Sequence, residues 1–192
     1  PQNPKTPHKW KPYNNKRMLI LIYYNFFDVW FWFIIIVFIS ITSIFVGSSG
    51  GLLQTDLKRL LAYSSIGNIG FALMGLASGN FAGIHGLLFY IVIYLSMTVG
   101  VFACILVLEK ENENSTNIKN LSGLAKSHPY LAFAITIFMF SLAGIPPLAG
   151  FFSKFYIFYA VINKAMYFYA TVAVLASVIS AFYYLRIVNY NW

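Results

Sequence analysis

Five long apolar runs limit what this chain can fold into. They lie near 29–47, 60–77, 84–108, 130–163 and 166–188, and a helix needs about 20 apolar residues to cross a hydrocarbon core roughly 30 Å thick. Inside that core every backbone N–H and C=O must be satisfied within the protein, so only helices or a closed barrel can span it. The runs are continuous and do not alternate with period two, which favours helices over barrel strands. The expected fold is all-α, a polytopic transmembrane helix bundle of about five spans. Charged residues make up 9% of the chain, against about 25% in a soluble domain. That excludes a soluble enzyme core, a disordered chain and a nucleic-acid binder. The single cysteine, Cys104, sits in an apolar run and excludes a disulfide scaffold.

The charges are unevenly placed. Lys5, Lys9, Lys11, Lys16 and Arg17 carry five of the eight net positive charges, so residues 1–28 read as a basic N-terminal extension and 29–192 as the membrane domain. The segment 1–17 has no acidic residue, a trait of transit peptides. Pro1, Pro4, Pro7 and Pro12 would break an amphipathic helix, so the expectation is a retained extension lying on lipid headgroups or on a partner. The chain opens on Pro1, which leaves processing, truncation and an unusual start codon open. Lys58, Arg59, Lys110, Lys119, Lys126 and Arg186 fall on one side of five alternating spans, and the five tail cations plus Lys164 on the other. The positive-inside count is a tie and does not orient the chain.

The fourth run holds the most unusual chemistry. As one straight helix, 130–163 would be about 51 Å long, far more than the bilayer core. Gly144-Ile145-Pro146-Pro147 interrupts it. Neither proline has an N–H, so the carbonyls of Leu142 and Ala143 lose their i+4 donors, and each proline disfavours helix in the residue before it. The expectation is two half-helices, near 130–144 and 147–163, with the freed carbonyls buried in protein or facing water. Seven residues beyond Pro147 comes Lys154, the one ionisable side chain deep inside any run, with Gly150 on the same face leaving room beside it. A lysine at a helix centre costs roughly 2.5–3.5 kcal/mol to insert, and such a residue is a functional candidate by default. Freed carbonyls and half-helix ends beside an ionisable group are the arrangement of ion-coupled transporters. The alternative, that Lys154 only snorkels to the headgroups, stays open at this point.

A second polar cluster is Gln54-Thr55-Asp56-Leu57-Lys58-Arg59. Asp56 is placed to cap the second helix, while Lys58 and Arg59 fall in its first turn, where the helix dipole repels cations. That placement is unfavourable unless an anion lies nearby; headgroup anchoring is the competing explanation. His85 reads as an interfacial hydrogen-bonding group, Cys104 as packing. Ala173, Ser177 and Ala181 on the last helix, and Gly67 and Gly75 on the second, read as surfaces for close helix packing. Gly47-Ser48-Ser49-Gly50-Gly51, Ser78-Gly79-Asn80 and the polar stretch 109–127 read as loops. No paired histidines, CxxC pair, nucleotide loop or hydrolase motif is present, so neither a metal site nor a redox cofactor is expected in this chain.

The run Gln54-Thr55-Asp56-Leu57-Lys58-Arg59-Leu60-Leu61-Ala62-Tyr63-Ser64-Ser65-Ile66 resembles a signature of the antiporter-like membrane subunits of respiratory complex I. Phe140 to Tyr156, with Gly144-Ile145-Pro146-Pro147 and Lys154 inside it, resembles the broken-helix signature of the same family. Between the two, Leu121-Ser122-Gly123-Leu124-Ala125 and His128-Pro129 match the family's loop, and Ala181-Phe182-Tyr183-Tyr184-Leu185-Arg186 is similar to its following helix. The likeness covers about 35–190 and is strongest to the chain 2 branch of the mitochondrial enzymes.

The resemblance implies a proton-translocating module in the mitochondrial inner membrane, of which this sequence looks like helices nine to thirteen. It implies that Lys154 is the broken-helix lysine that passes protons, and that Lys58 is a motif lysine near the charged axis of the membrane arm. By analogy it places Lys58 on the matrix side. NADH, FMN, iron–sulfur clusters and quinone are expected in other subunits, with those subunits and lipid as partners and no nucleic acid. The family's first repeat, with its glutamate on the fifth helix and lysines on the seventh and eighth, has no counterpart here. The resulting expectation is a split subunit, with a separate chain supplying the front helices. A cation/proton antiporter subunit and a structural remnant without pumping are the rival readings.

Overall fold

The computed structural model of the chain describes residues 15–111 and 117–192. The chain divides into two units, Pro1–Ile35 and Ile36–Trp192. In the first, the described residues are helical from Asn15 onward. The basic extension expected over 1–28 lies outside the described residues as far as position 14.

Among the described residues the elements are helices: α1 Asn15–Leu52, α2 Leu57–Ala77, α3 Phe81–Glu111, a 3-10 turn at Ile118–Leu121, α4 Leu124–Ser127, α5 Pro129–Ala143, α6 Ala149–Ile162 and α7 Tyr167–Asn191. The one strand-like feature among the described residues is an isolated bridge between Asp56 and Asn117. The all-α bundle is therefore as expected. Four helical stretches are long and apolar enough to cross a membrane, namely Trp30–Leu52, Leu57–Ala77, Phe81–Lys110 and Tyr167–Asn191. The fourth run is two shorter apolar helices, α5 of 15 residues and α6 of 14. At about 1.5 Å per residue neither alone reaches across roughly 30 Å.

Local chemistry explains the boundaries. Asp56 caps α2 by accepting from the Lys58 backbone N–H at 3.0 Å. Asn80 opens α3, accepting from the Gly83 N–H at 2.7 Å while its amide donates to the Ala160 carbonyl at 3.2 Å, which fastens the start of α3 to the end of α6. At the opposite end Arg186 of α7 donates to the carbonyls of Leu52 and Gln54, and the Asn191 amide to the Ala132 carbonyl of α5 at 2.8 Å. These ties leave four lysines and two arginines (Lys58, Arg59, Lys110, Lys119, Lys126 and Arg186) toward one end of the helices. Lys164 lies at the other, in the turn between α6 and α7.

Burial ranks the helices. α2 is 61% buried, against 22% for Trp30–Leu52 and 28% for Phe81–Lys110, yet it is the least apolar of the three, with mean hydropathy 1.5 against 2.3 and 2.6. Surrounded by protein, α2 buries the Ser64 hydroxyl and the Asn68 amide; the hydroxyls exposed on α1 and α3, such as Thr42 and Ser96, instead bond the carbonyl one turn back. Within the second unit, Phe38 and Phe45 on α1, Val92 and Val99 on α3, and Val178 and Phe182 on α7 are exposed and form its outward apolar surface.

Three expectations are corrected. Gly47-Ser48-Ser49-Gly50-Gly51 is helix, not loop. Ser48 and Ser49 both donate to the Phe45 carbonyl inside the helix, and the glycines admit α2 and α7: a Cβ on Gly47 would lie 2.3 Å from the Gly67 nitrogen, and one on Gly51 2.8 Å from the Tyr183 ring. The stretch 109–127 is not simply a polar loop. α3 continues to Glu111, and Ile118, Leu121 and Leu124 are buried in the core, where the Ile118 N–H reaches the Thr55 carbonyl at 3.0 Å. On α7 the inward seam is Ala173, Ala176 and Ser180; of the expected stripe only Ala173 is fully buried, with Ser177 and Ala181 half-covered.

Candidate functional site at the helix break

α5 stops because Gly144 takes φ +85°, a left-handed conformation that glycine adopts without strain. The N–H groups of Gly144 and Ile145 close back on the Phe140 carbonyl at 3.1 Å each. The Ser141 carbonyl accepts from the Gly144 N–H at 3.0 Å, but those of Leu142 and Ala143 would have been served by residues 146 and 147, both prolines without a donor. Lys154 fills the gap. Its Nζ donates to the Leu142 carbonyl at 3.0 Å and to the Ala143 carbonyl at 3.4 Å. The lysine is 7% exposed, its ammonium at the negative end of the α5 dipole, where a cation is favoured. Snorkelling is therefore not its conformation here. Leu142 and Ala143 are buried, whereas Pro146 and Pro147, joined by a cis peptide bond, are exposed.

The two half-helices also meet backbone to backbone at Gly150. Gly150 donates its N–H to the Ser141 Oγ at 3.1 Å, and a Cβ at Gly150 would fall 1.8 Å from the Ser141 carbonyl oxygen. The expected room beside the lysine at Gly150 is thus occupied by the α5 backbone, and that contact holds Lys154 at the break. A Cβ on Gly144 would sit 3.3 Å from Lys154 Cδ, so the lysine stem lies across Gly144. Ile145 half-covers the break and packs against the core of α3, α5 and α7.

Lys58 is in a different setting. Its ammonium pairs with the Glu109 carboxylate from the last turns of α3, and the two side chains are 48% and 25% exposed. Glu109 is the anion that makes a lysine tolerable in the first turn of α2. Arg59 beside it is exposed. No hydrogen bond joins Lys58 to Lys154 among the described residues. A cavity of about 250 Å³ opens beside Lys58 and extends to Leu142; its walls include Lys58, Ser64, Ser65, Tyr94, Thr98 and Leu142, the last being the residue whose carbonyl accepts from Lys154, which itself does not line it. It is large enough for several waters and partly lined by hydroxyls.

Other residues singled out in the sequence have plainer places. His85 is exposed on α3 and meets the Phe81 ring edge-on, with centroids 4.7 Å apart. Cys104 is buried in the core as packing. Among the described residues no three His, Cys, Asp or Glu side chains come together as a metal site. A buried polar network escaped the sequence reading. Asn68 of α2 accepts from the Tyr90 hydroxyl of α3 at 2.9 Å and donates to the Tyr184 hydroxyl of α7 at 3.4 Å. An amide inside an apolar run was the available signal for it; the two tyrosines gave none in so aromatic a chain.

Comparison with known proteins identifies the family. The family described as NADH:quinone oxidoreductase/Mrp antiporter, TM, matches residues 9–180. NADH-quinone oxidoreductase subunit N 1 of Rhizobium meliloti (strain 1021) is 49% identical over 178 residues, which cover 91% of this chain and 37% of that protein. Among solved structures, respiratory complex I from Thermus thermophilus with bound NADH matches with TM-score 0.75 and 28% identity, over 82% of this chain and 33% of that one. The Mrp complex from Dietzia sp. DQ12-45-1b matches with TM-score 0.77 and 26% identity, over 82% and 29% respectively. The chain thus spans about a third of the length of the relatives it matches. With the match covering most of its length, this chain belongs to the NADH:quinone oxidoreductase/Mrp antiporter transmembrane family.

Proposed function

We propose that this chain forms the rear part of an antiporter-like proton-translocating module in the membrane arm of respiratory complex I, and that Lys154 carries the proton. The observation behind the proposal is the pair of hydrogen bonds from buried Lys154 Nζ to the carbonyls of Leu142 and Ala143. An ammonium has three N–H donors and a neutral amine keeps two. Two donors suffice for two carbonyls, so Lys154 can lose its third proton without orphaning buried backbone. The freed lone pair then accepts the next proton from water, for which the cavity between Lys58 and Leu142 supplies an approach. In this reading Lys58 and Glu109 stand at the mouth of that approach and set its charge.

The redox groups, NADH, FMN, iron–sulfur clusters and quinone, belong to other subunits, which drive this site through the arm; the partners of this chain are those membrane subunits and lipid. A mitochondrial inner-membrane location is proposed from composition, since 19% aromatic residues suit an organelle-encoded chain with drifting composition; the relatives named above are bacterial. The rest of the module, on whichever polypeptide carries it, completes the pump.

The test is native electrophoresis of membranes with in-gel NADH oxidation, followed by Lys154→Met in the same membranes. Co-migration with an NADH-oxidising assembly, and loss of proton uptake with assembly retained, is the expected result. An assembled variant that pumps normally ends the proton role and leaves a structural one. The likeness to the Mrp complex favours cation/proton antiport as a second reading, which predicts sodium- or potassium-dependent proton flux without NADH.

A further inference from the structure

We infer that Phe71 is a positioning residue for Lys154, holding its ammonium over the α5 carbonyls in a site that offers no carboxylate. The ion pair among the described residues is Lys58 with Glu109, and the described acidic side chains, Asp56 and Glu109, stand near the end of the bundle. Lys154 Nζ has two carbonyl acceptors, and the Phe71 ring lies beside it, with Nζ 5.3 Å from the centroid; this attraction acts on the charge as a whole and takes up none of its N–H donors. The face of a phenyl ring is the negative side of its quadrupole, and its attraction for a cation is strongest where water is excluded. Phe71 is 2% exposed.

The ring is fixed from two sides. Phe158, one turn after Lys154 on α6, meets it edge-on with centroids 6.1 Å apart. Three residues before it on α2, Asn68 is tied to Tyr90 and Tyr184, which fixes α2 against α3 and α7. Phe71 therefore reaches the break from a helix separate from both half-helices. It completes a three-sided cradle of two carbonyls and one aromatic face. The cradle keeps Nζ at one place while protons come and go, so this inference rests on the reading of Lys154 as the proton carrier.

The experiment uses the assembled complex in its membrane, with Phe71→Tyr, which keeps the ring face, and Phe71→Met, which keeps an apolar bulk without it. Each is made alone and with Lys154→Gln, and protons moved per NADH and the thermal midpoint of the complex are both measured. Phe71→Met is expected to cut proton movement roughly twofold or more, and Phe71→Tyr to restore it. The thermal cost of Phe71→Met should shrink when Lys154 is already Gln, because the ring then has no cation to hold. Equal pumping by the Met and Tyr variants, or the same thermal cost in both backgrounds, overturns the inference. If Phe71→Met does not assemble, Phe71→Leu takes its place; failure of both even beside Lys154→Gln assigns the ring to packing and also overturns it. Should Lys154→Gln itself pump normally, the proton role fails, while the thermal coupling still decides whether ring and ammonium are partners.

Discussion

The two lysines of interest show what burial does to a charge. Lys58 lies at the end of α2, half exposed, paired with a carboxylate that water also reaches. Lys154 lies inside the bundle with no carboxylate beside it among the described residues, held by two carbonyls of a broken helix and an aromatic ring. At the exposed site the Coulomb attraction is shared with water and salt, and such pairs contribute about 0–1 kcal/mol. At the buried site the lysine is the donor that the Leu142 and Ala143 carbonyls have, so lysine and backbone depend on each other. The difference teaches that the break is not a gap in the fold. It is a backbone acceptor site, created by Pro146 and Pro147, that needs a donor, and the sequence supplies that donor on the next half-helix.

The largest effect is expected where the two half-helices touch. In Gly150→Val the Cβ alone would fall 1.8 Å from the Ser141 carbonyl oxygen, backbone that cannot yield, so overpacking costs at least about 1–3 kcal/mol and α6 shifts away from α5. Loss of the assembled complex on native gels is the expected outcome. Normal assembly would show that the break tolerates separation and that the buried site is looser than described. Next in size is the choice of replacement at Lys154. Lys154→Met leaves two buried carbonyls without donors, about 1–3 kcal/mol for each, whereas the amide of Lys154→Gln can serve at least one. The thermal midpoint should fall further for Met than for Gln, while neither variant pumps. Equal midpoints would mean that the carbonyls do not depend on the lysine.

Much of this contrast was legible in the sequence. Run length gave the spans, and the missing N–H groups of Pro146 and Pro147 identified in advance which two carbonyls would need partners. Lys154 was visible as a buried charge; that its Nζ is the partner was not, because sequence spacing across a break fixes no geometry. Glu109 was hidden for another reason: it meets Lys58 only after α2 and α3 have folded back on each other. Gly47 to Gly51 misled because glycine and serine serve turns and close helix contacts alike. Phe71 carried no signal among 19 phenylalanines; its role comes from facing an ammonium that belongs to another helix.

Asn68 tests whether the intact part of the bundle supports the broken part. Asn68→Leu removes one partner from each of two buried hydroxyls, Tyr90 and Tyr184, a cost of about 1–3 kcal/mol in stability. It should lower the thermal midpoint with a smaller loss of pumping than Phe71→Met, since Asn68 acts on the lysine only through α2. A pumping loss as deep as that of Lys154→Gln would instead put the amide itself on the proton path.

The smallest effect is expected at the exposed pair, where it sharpens the comparison most. Glu109→Gln and Lys58→Gln each remove an ion pair worth about 0–1 kcal/mol, so the thermal midpoint should hardly move. What remains should fade with salt, because the Debye length shrinks from about 10 Å at 0.1 M to about 3 Å at 1 M. Lys154 lies beyond the reach of salt, and its variants should keep their deficits at every ionic strength. The decisive measurement is therefore proton movement per NADH for Glu109→Gln, Lys58→Gln and Lys154→Gln at low and high salt. If the pair only adjusts the charge at the mouth of the cavity, its variants approach the unmodified complex as salt rises, and Lys154→Gln does not. A salt-insensitive loss for Lys58→Gln as large as that for Lys154→Gln would make the two lysines successive carriers on one path, and the contrast between exposed and buried charge would no longer separate their roles.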